Sequence, residues 1–163
     1  MSAGVLLLAR LTDPEQLVPT AELLERSKNV QCWNAVDGHV DLVAKLTAPS
    51  APLVDSLRGI DGMGDLDVFE LSAESGTLLC DPAFDHAFVF MEVEPDKVGF
   101  VRDRLAAITD VVFSSTRTNE REMIAAVRGK SFQSVDRIVN EQIRPIDGVL
   151  RLKQDRVINL KQL

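Results

Sequence analysis

The stretch Ile60-Asp61-Gly62-Met63 recurs almost unchanged as Ile146-Asp147-Gly148-Val149, and this repetition decides the fold. Upstream of it, residues 40–46 (VDLVAKL) are echoed by residues 121–127 (REMIAAV). In both copies, a small-residue turn and a helical pattern separate the two matched stretches. Because the matches keep the same order along the chain, they indicate an internal duplication of one structural unit.

Each copy has the pattern strand, helix, strand, strand, helix, strand. Short apolar runs predict buried strands. Apolar residues at helical spacing follow Pro14 and Pro95, since a proline in the first turn of a helix costs no hydrogen bond. Asp37-Gly38 predicts a tight hairpin in the first copy. Gly62 and Gly148 follow the second helices, where glycine can leave a helix with a positive φ.

The order βαββαβ is that of the ferredoxin-like unit. The predicted fold is therefore α+β, with a first unit in residues 1–72, a linker in residues 73–85 and a second unit in residues 86–163. A four-stranded sheet with both helices on one side needs cover on its other face. We expect the two tandem repeats to cover each other's sheets and to form a pseudo-dimer like a dimeric α/β-barrel.

The composition restricts the classes of function. The chain has 163 residues, of which 45% are hydrophobic and 26% charged, as in ordinary globular proteins. A net charge of −7 disfavours binding of nucleic acid or of an anionic membrane. The longest apolar run, residues 5–9, is too short to span a membrane. Cys32 and Cys80 form neither a disulfide framework nor a metal motif, so we expect a cytoplasmic protein without cofactor or metal.

The second copy carries a resemblance to a known family. Residues 87–95 (AFVFMEVEP), 111–112 (VV), 124–127 (IAAV) and 146–149 (IDGV) resemble the effector-binding domain of the Lrp/AsnC regulators. Residues 37–46 (DGHVDLVAKL) are similar to the family's glycine turn, aspartate and hydrophobic strand.

The resemblance implies two effector-type domains fused in tandem, further assembly, and a small effector, often an amino acid, near the hairpin loops. Family regulators begin with a helix-turn-helix, whereas this chain begins in a strand. We therefore expect no direct DNA binding by the chain itself.

The same resemblance assigns candidate ligand-binding residues. These are Asp37, Gly38 and Asp41 in the first copy, and Asn119 and Arg121 in the second. An arginine can hold a carboxylate through two parallel hydrogen bonds. The alternative is that Asp37-Gly38 only makes the turn, Asp41 only begins a strand and Arg121 forms an exposed ion pair.

Other reactive residue types have simpler interpretations. His39 and His86 lack partners at metal-ligand spacing, so surface or strand-end roles are expected. Cys32 and Trp33 alternate along a strand, which predicts that they face opposite sides of the sheet. One polar set lies among apparently buried strands and would line a cavity if its members met: Arg10, Lys45, Glu92, Ser115, Arg117 and Arg128.

Two functions are compatible with these patterns. The first is a non-enzymatic regulatory or interaction module that binds a small effector and acts as a homo-oligomer or with a protein partner. The alternative is an enzyme of the dimeric α/β-barrel type, such as a small monooxygenase or isomerase, with a cavity between sheet and helices. No nucleophile–base or acid–base pair at a characteristic spacing is recognisable, so the sequence favours the first and assigns no catalytic residue.

Overall fold

The computed structural model of the protein describes residues 4–47, 51–78, 83–117 and 121–158. The chain divides into two compact units. Unit 1 contains the residues up to Leu71 together with Ile158, and unit 2 contains Ser72–Val157. No helix within the described ranges is long and apolar enough to cross a membrane.

Unit 1 is a four-stranded antiparallel sheet with two helices. In chain order its elements are β1 (Val5–Leu11), α1 (Leu17–Arg26), β2 (Val30–Asp37), β3 (Leu42–Leu46), α2 (Ala51–Arg58) and β4 (Met63–Gly76). The strands pair in the order β4–β1–β3–β2. The Asp13 carboxylate accepts a hydrogen bond from the Glu15 backbone N–H at 3.0 Å and Pro14 follows, as expected where a helix begins.

Unit 2 repeats this arrangement. Its elements are β5 (Asp85–Val93), α3 (Val98–Ala107), β6 (Val111–Arg117), β7 (Glu122–Gly129), α4 (Phe132–Ile138), a π-helical segment (Val139–Ile143) and β8 (Val149–Ile158). The strands pair in the order β8–β5–β7–β6. In both units, therefore, the sheet order is the unit's fourth strand, then its first, third and second. The predicted α+β class and the βαββαβ order of each unit are therefore confirmed.

The two Ile-Asp-Gly turns are structurally equivalent. Gly62 has φ +86° and its carbonyl accepts the Thr12 N–H at 2.7 Å. Gly148 has φ +107° and its carbonyl accepts the Glu94 N–H at 2.8 Å. Both glycines thus leave a helix with the predicted positive φ and tie the turn to the entrance of the unit's first helix.

The structure differs from the sequence prediction at two connections. The first hairpin is wider than the tight turn predicted from Asp37-Gly38: β2 runs through Asp37, β3 begins at Leu42, and Gly38 does not adopt a positive φ. The second difference is that β4 continues to Gly76, so the beginning of the predicted linker, residues 73–85, is strand. Both errors have the same cause: a sequence pattern does not show at which residue the pairing of two strands ends.

Each unit has its own hydrophobic core between sheet and helices. Leu7 and Leu24 are buried in the core of unit 1, and Val89 and Leu105 in that of unit 2. Trp33 packs against the unit 1 core and its indole N–H donates a hydrogen bond to Glu25 of α1. Trp33 is thus on the helix side of the sheet. Because successive strand residues point to opposite faces, Cys32 is on the other side, as predicted.

Candidate functional site

The candidate site lies on the face of the unit 2 sheet that is turned away from α3 and α4, which we call the distal face. The opposite face is defined by Ala87, Val89 and Met91 of β5 and their partners on β7, all of which belong to the helix-side core. Because successive strand residues point to opposite faces, the distal face carries the residues between them. On β5 and β7 these are His86, Phe88, Phe90, Glu92, Glu122, Ile124, Ala126 and Arg128.

Three polar residues on adjacent strands of the distal face form a cluster, which we call the distal-face triad: His86, Arg128 and Asp155. His86 on β5 is directly opposite Arg128 on β7. Phe88, two residues after His86, is opposite Asp155 on β8, so Asp155 is the diagonal neighbour of His86. Opposite and diagonal side chains on one face of an antiparallel pair are within reach of each other. The register therefore places a histidine, an arginine and an aspartate at neighbouring positions on one face of the sheet.

Two members of the triad are almost inaccessible to solvent. His86 is 5% exposed and Asp155 is 1% exposed. Burial of ionisable groups is costly unless they are paired or used, so such groups mark candidate functional sites. Ser115 is also fully buried, opposite the distal-face residue Ile124.

The Arg128 side chain is held from two sides. Its guanidinium carbon lies 5.0 Å from the centre of the Phe84 ring, a cation–π geometry. Its Nε lies 3.7 Å from Asp110 Oδ1, close enough for an ion pair. This distance is too long for a hydrogen bond, and the buried Nε has no hydrogen-bond partner in the described part of the chain.

Other distal-face charges are arranged in ordinary ion pairs. Arg117 Nη1 donates a hydrogen bond to Glu122 Oε2 at 3.0 Å. Arg151 Nε lies 3.9 Å from Glu92 Oε2, and the Arg151 side chain is highly exposed. Arg117 differs from Arg128 because its guanidinium donates a hydrogen bond to its carboxylate partner, and Arg151 differs because its side chain is far more exposed.

A cleft of about 560 Å³ lies in the helix layer of unit 2. Its walls are the end of α3, with Arg104 and the following Asp110, and the region of the π-helical segment, with Glu141, Gln142 and Ile146. The same Asp110 forms the ion pair with Arg128, so a carboxylate of the cleft wall contacts one member of the triad.

The predicted ligand-binding residues are distributed over two hairpins. Asp37 and Gly38 are exposed at the end of β2 and in the loop after it. Asp41 has a structural bond, because its Oδ2 accepts the Leu11 backbone N–H at 2.7 Å. Arg121 is exposed in unit 2, before β7. Asn119 lies outside the described residues, and ligand binding by these five stays a prediction.

The predicted polar set is found in two different environments. Arg10 is exposed and Lys45 half-buried in unit 1. In unit 2 the strand register places the remaining four on the distal face: Glu92, Ser115, Arg117 and Arg128.

Sequence reasoning missed the most buried members of the site. His86 was expected in a surface or strand-end role; it does lie at the start of β5, but it is buried and not at the surface. Asp155 gave no sequence signal, because its position opposite Phe88 depends on the register of β8. Burial raises the pKa of the Cys32 thiol above its ordinary value, which is the opposite of what an activated nucleophile requires. Cys80 lies outside the described residues.

Comparisons with known proteins connect the chain to one domain family and to several enzymes. Residues 86–159 match the family model of the Lrp/AsnC ligand binding domain. No curated protein matches the sequence. Among solved structures, the siroheme decarboxylase NirDL superimposes with a TM-score of 0.75 at 14% identity, over 96% of this chain and 71% of that chain.

Two further solved structures have the same fold at lower similarity. A monooxygenase-like protein from Listeria innocua gives a TM-score of 0.56 at 9% identity, covering 97% of this chain and 96% of its own. A chlorite dismutase from Candidatus Nitrospira defluvii gives 0.57 at 8% identity, covering 98% and 92%.

These findings correct the functional prediction. The sequence favoured a non-enzymatic regulatory module, but two proteins that share the fold over nearly the whole of this chain are named as enzymes, a siroheme decarboxylase and a chlorite dismutase, and a third is named as monooxygenase-like. The enzyme alternative therefore fits better, and the regulatory interpretation is wrong. The chain is α+β, its residues 86–159 are similar to the Lrp/AsnC ligand binding domain, and its fold is shared with enzymes.

Proposed function

We propose that this chain is an enzyme and that the distal-face triad is its reacting centre. The observation that carries the proposal is the burial of His86 and Asp155 at diagonal positions of adjacent strands, on a face that also carries Arg128. A sheet face that served packing alone would be filled with apolar side chains, because the burial of a charged group costs free energy whereas the burial of an apolar group does not. Here the register instead brings an acid–base group, a carboxylate and a cation together.

The reaction class that we propose is decarboxylation of a substrate with carboxylate side chains, siroheme or a related tetrapyrrole. It is supported by the similarity to the siroheme decarboxylase NirDL, which extends over 96% of this chain. It is also supported by the residue types of the triad, since imidazole and guanidinium suit proton transfer and carboxylate binding.

Each residue of the triad has a defined role in this proposal. The carbon–carbon bond to the substrate carboxylate breaks, CO₂ leaves, and the electron pair stays on the carbon. His86 acts as the general acid: it donates a proton to that carbon and takes one back from water that enters when the product leaves. Asp155 orients the imidazole and balances its positive charge, as a carboxylate does in a catalytic triad. Arg128 faces His86 from the neighbouring strand and attracts the anionic substrate.

The pairing of the two repeats through their sheets, in the manner of a dimeric α/β-barrel, stays a prediction from the internal repeat.

The two histidines of the chain provide a matched test of the enzyme proposal. The full chain is incubated with siroheme under anaerobic conditions, and loss of CO₂ from the tetrapyrrole is followed by mass spectrometry. We expect His86→Gln to lower the rate by about 100-fold or more, the usual contribution of a general acid. His39→Gln, which changes the histidine next to the first hairpin turn, should leave the rate unchanged.

Circular dichroism and thermal unfolding establish that the variants fold, and Asp155→Asn provides a second variant of the triad. Equal rates for the wild type, His86→Gln and Asp155→Asn would contradict the proposal. Conversion that requires O₂ and releases no CO₂ would also contradict it, and would favour a monooxygenase.

A further inference from the structure

Unit 2 contains two arginines that are stacked on phenylalanine rings in nearly the same way. The guanidinium carbon of Arg156 is 4.9 Å from the Phe132 ring centre, and that of Arg128 is 5.0 Å from the Phe84 ring centre. Each arginine also has an aspartate next to it. The pair therefore allows a comparison in which ring stacking and a nearby carboxylate are held constant.

The two arginines differ in their hydrogen bonds. Arg156 Nη2 donates to Asp136 Oδ2 at 3.1 Å, and Gln154 binds the other oxygen of the same carboxylate. Arg128 Nε is 3.7 Å from Asp110 Oδ1, beyond hydrogen-bond distance, and this buried nitrogen has no partner among the described residues.

The energetics of the two sites differ accordingly. A hydrogen bond between a guanidinium and a carboxylate is among the strong interactions in proteins, and a buried charged donor without an acceptor is destabilising. Arg156 is therefore satisfied within the fold. Arg128 is oriented by Phe84 and Asp110, but its buried Nε has no hydrogen-bond acceptor among the described residues.

Arg128 is also accessible to a solute. Its side chain retains 35% exposure, although its Nε is buried. Its backbone is fixed, because the Arg128 N–H donates to the Asp110 carbonyl at 2.9 Å. An arginine that is held in place, partly exposed and incompletely bonded has the properties of a binding site for an oxyanion.

We propose that Arg128, oriented by Phe84 and Asp110, is an oxyanion subsite that binds a carboxylate group of the substrate. Its guanidinium binds two oxygens of a carboxylate or phosphate through parallel hydrogen bonds. Arg128 is directly opposite His86 in the strand register, so the proposed subsite and the imidazole belong to adjacent strands and to the same face of the sheet. The inference rests on the proposed function and deepens it, because it assigns recognition of a carboxylate-bearing substrate to a specific residue.

Phe84 and Asp110 are positioning residues in this proposal. The ring restricts the plane of the guanidinium, and the carboxylate offsets its charge without occupying its hydrogen-bonding edge. Preorganisation of this kind strengthens binding, since less conformational entropy is lost when the ligand arrives.

The test measures anion binding without turnover. The full chain is titrated with succinate and, separately, with inorganic phosphate at constant ionic strength, and binding is followed by calorimetry and by the shift in Tm. The variants are Arg128→Gln and Arg128→Lys, with Arg156→Gln as the matched control. We expect Arg128→Gln to weaken succinate binding about tenfold or more, Arg128→Lys to retain part of it, and Arg156→Gln to bind as the wild type does.

Three outcomes would overturn the inference. The first is wild-type affinity in Arg128→Gln. The second is an equal loss in Arg128→Gln and Arg156→Gln, which would reflect only the loss of a cation. The third is Arg128-dependent binding of phosphate but not succinate, which would exclude the carboxylate class.

Failure of the proposed function is a separate result. If succinate binding depends on Arg128 but no variant or wild-type preparation decarboxylates siroheme, the subsite stands and the decarboxylase proposal fails. If siroheme is decarboxylated in a His86-dependent reaction while Arg128→Gln binds succinate normally, the enzyme proposal stands and the subsite fails.

Discussion

The bond between Asp41 and the backbone of Leu11 allows a quantitative prediction about the role of Asp41. The pairing of β1 with β4 shifts register between Ala9 and Leu11. At this irregularity the Leu11 N–H donates to Asp41 Oδ2 at 2.7 Å, across a separation of 30 residues. A backbone donor in a partly buried position needs such an acceptor. The Asp41 carboxylate thus stabilises the junction between the first hairpin and β1.

Replacement of Asp41 by alanine removes this acceptor. Hydrogen bonds to charged groups contribute about 1.5–3 kcal/mol, and because this one is only partly buried we expect Asp41→Ala to lower the free energy of unfolding by about 2 kcal/mol. Asp41→Asn keeps an oxygen acceptor without the charge and should cost about 1 kcal/mol. If Asp41 only bound a ligand, Asp41→Ala would instead leave the free energy of unfolding unchanged.

Equilibrium unfolding of the full chain in urea measures these differences. Asp37→Ala is the matched control, since Asp37 is an exposed carboxylate in the same hairpin and its loss should change stability by less than about 0.5 kcal/mol. If Asp41→Ala and Asp37→Ala have the same small effect, the reasoning about the Leu11 N–H is refuted. Unequal effects of these two variants, with Asp41→Asn between them, would support it.

Three further predictions concern unit 2. Gly148→Ala should destabilise the protein by about 2 kcal/mol or more in urea unfolding, because φ is +107° and an added Cβ would lie 2.7 Å from the Cβ of Lys97. Gly99→Ala in α3, where the added Cβ would be in ordinary contact with an Arg102 guanidinium nitrogen at 3.8 Å, should instead stabilise the protein by up to about 1 kcal/mol. Ser114→Ala should be neutral or stabilising in the same assay, since the buried Ser114 hydroxyl has no hydrogen-bond partner among the described residues, and a loss above about 1 kcal/mol would reveal a missed partner. The hydrogen bond to Asp147 raises the pKa of Lys97. The stabilisation by this bond is therefore complete below the ordinary lysine pKa and is lost as the pH rises through the raised value. We expect Tm to fall less steeply at alkaline pH in Lys97→Met than in the wild type, and identical profiles would contradict this.

The repeat, the strand order and the turns are readable in the sequence because they depend on local chemistry. The apolar stripes predict which segments are helices, and the glycines at positions 62 and 148 predict where the chain leaves them. An order of elements that occurs twice has few compact solutions, which is why the ferredoxin-like arrangement of each unit follows from it. The function could not be predicted from local patterns in this way, and the comparison with a solved enzyme structure of this fold corrected the regulatory interpretation.

The two βαββαβ units and the positions of their turns are thus readable in the sequence. Three features are visible only in the folded chain: the neighbouring positions of His86, Arg128 and Asp155 on one face, the bond from Asp41 to the Leu11 backbone, and the different hydrogen bonds of the two stacked arginines. The physical reason is strand register: a shift by one residue would turn every side chain of a strand to the other face. Register depends on contacts between residues far apart in the chain, and no local pattern records it.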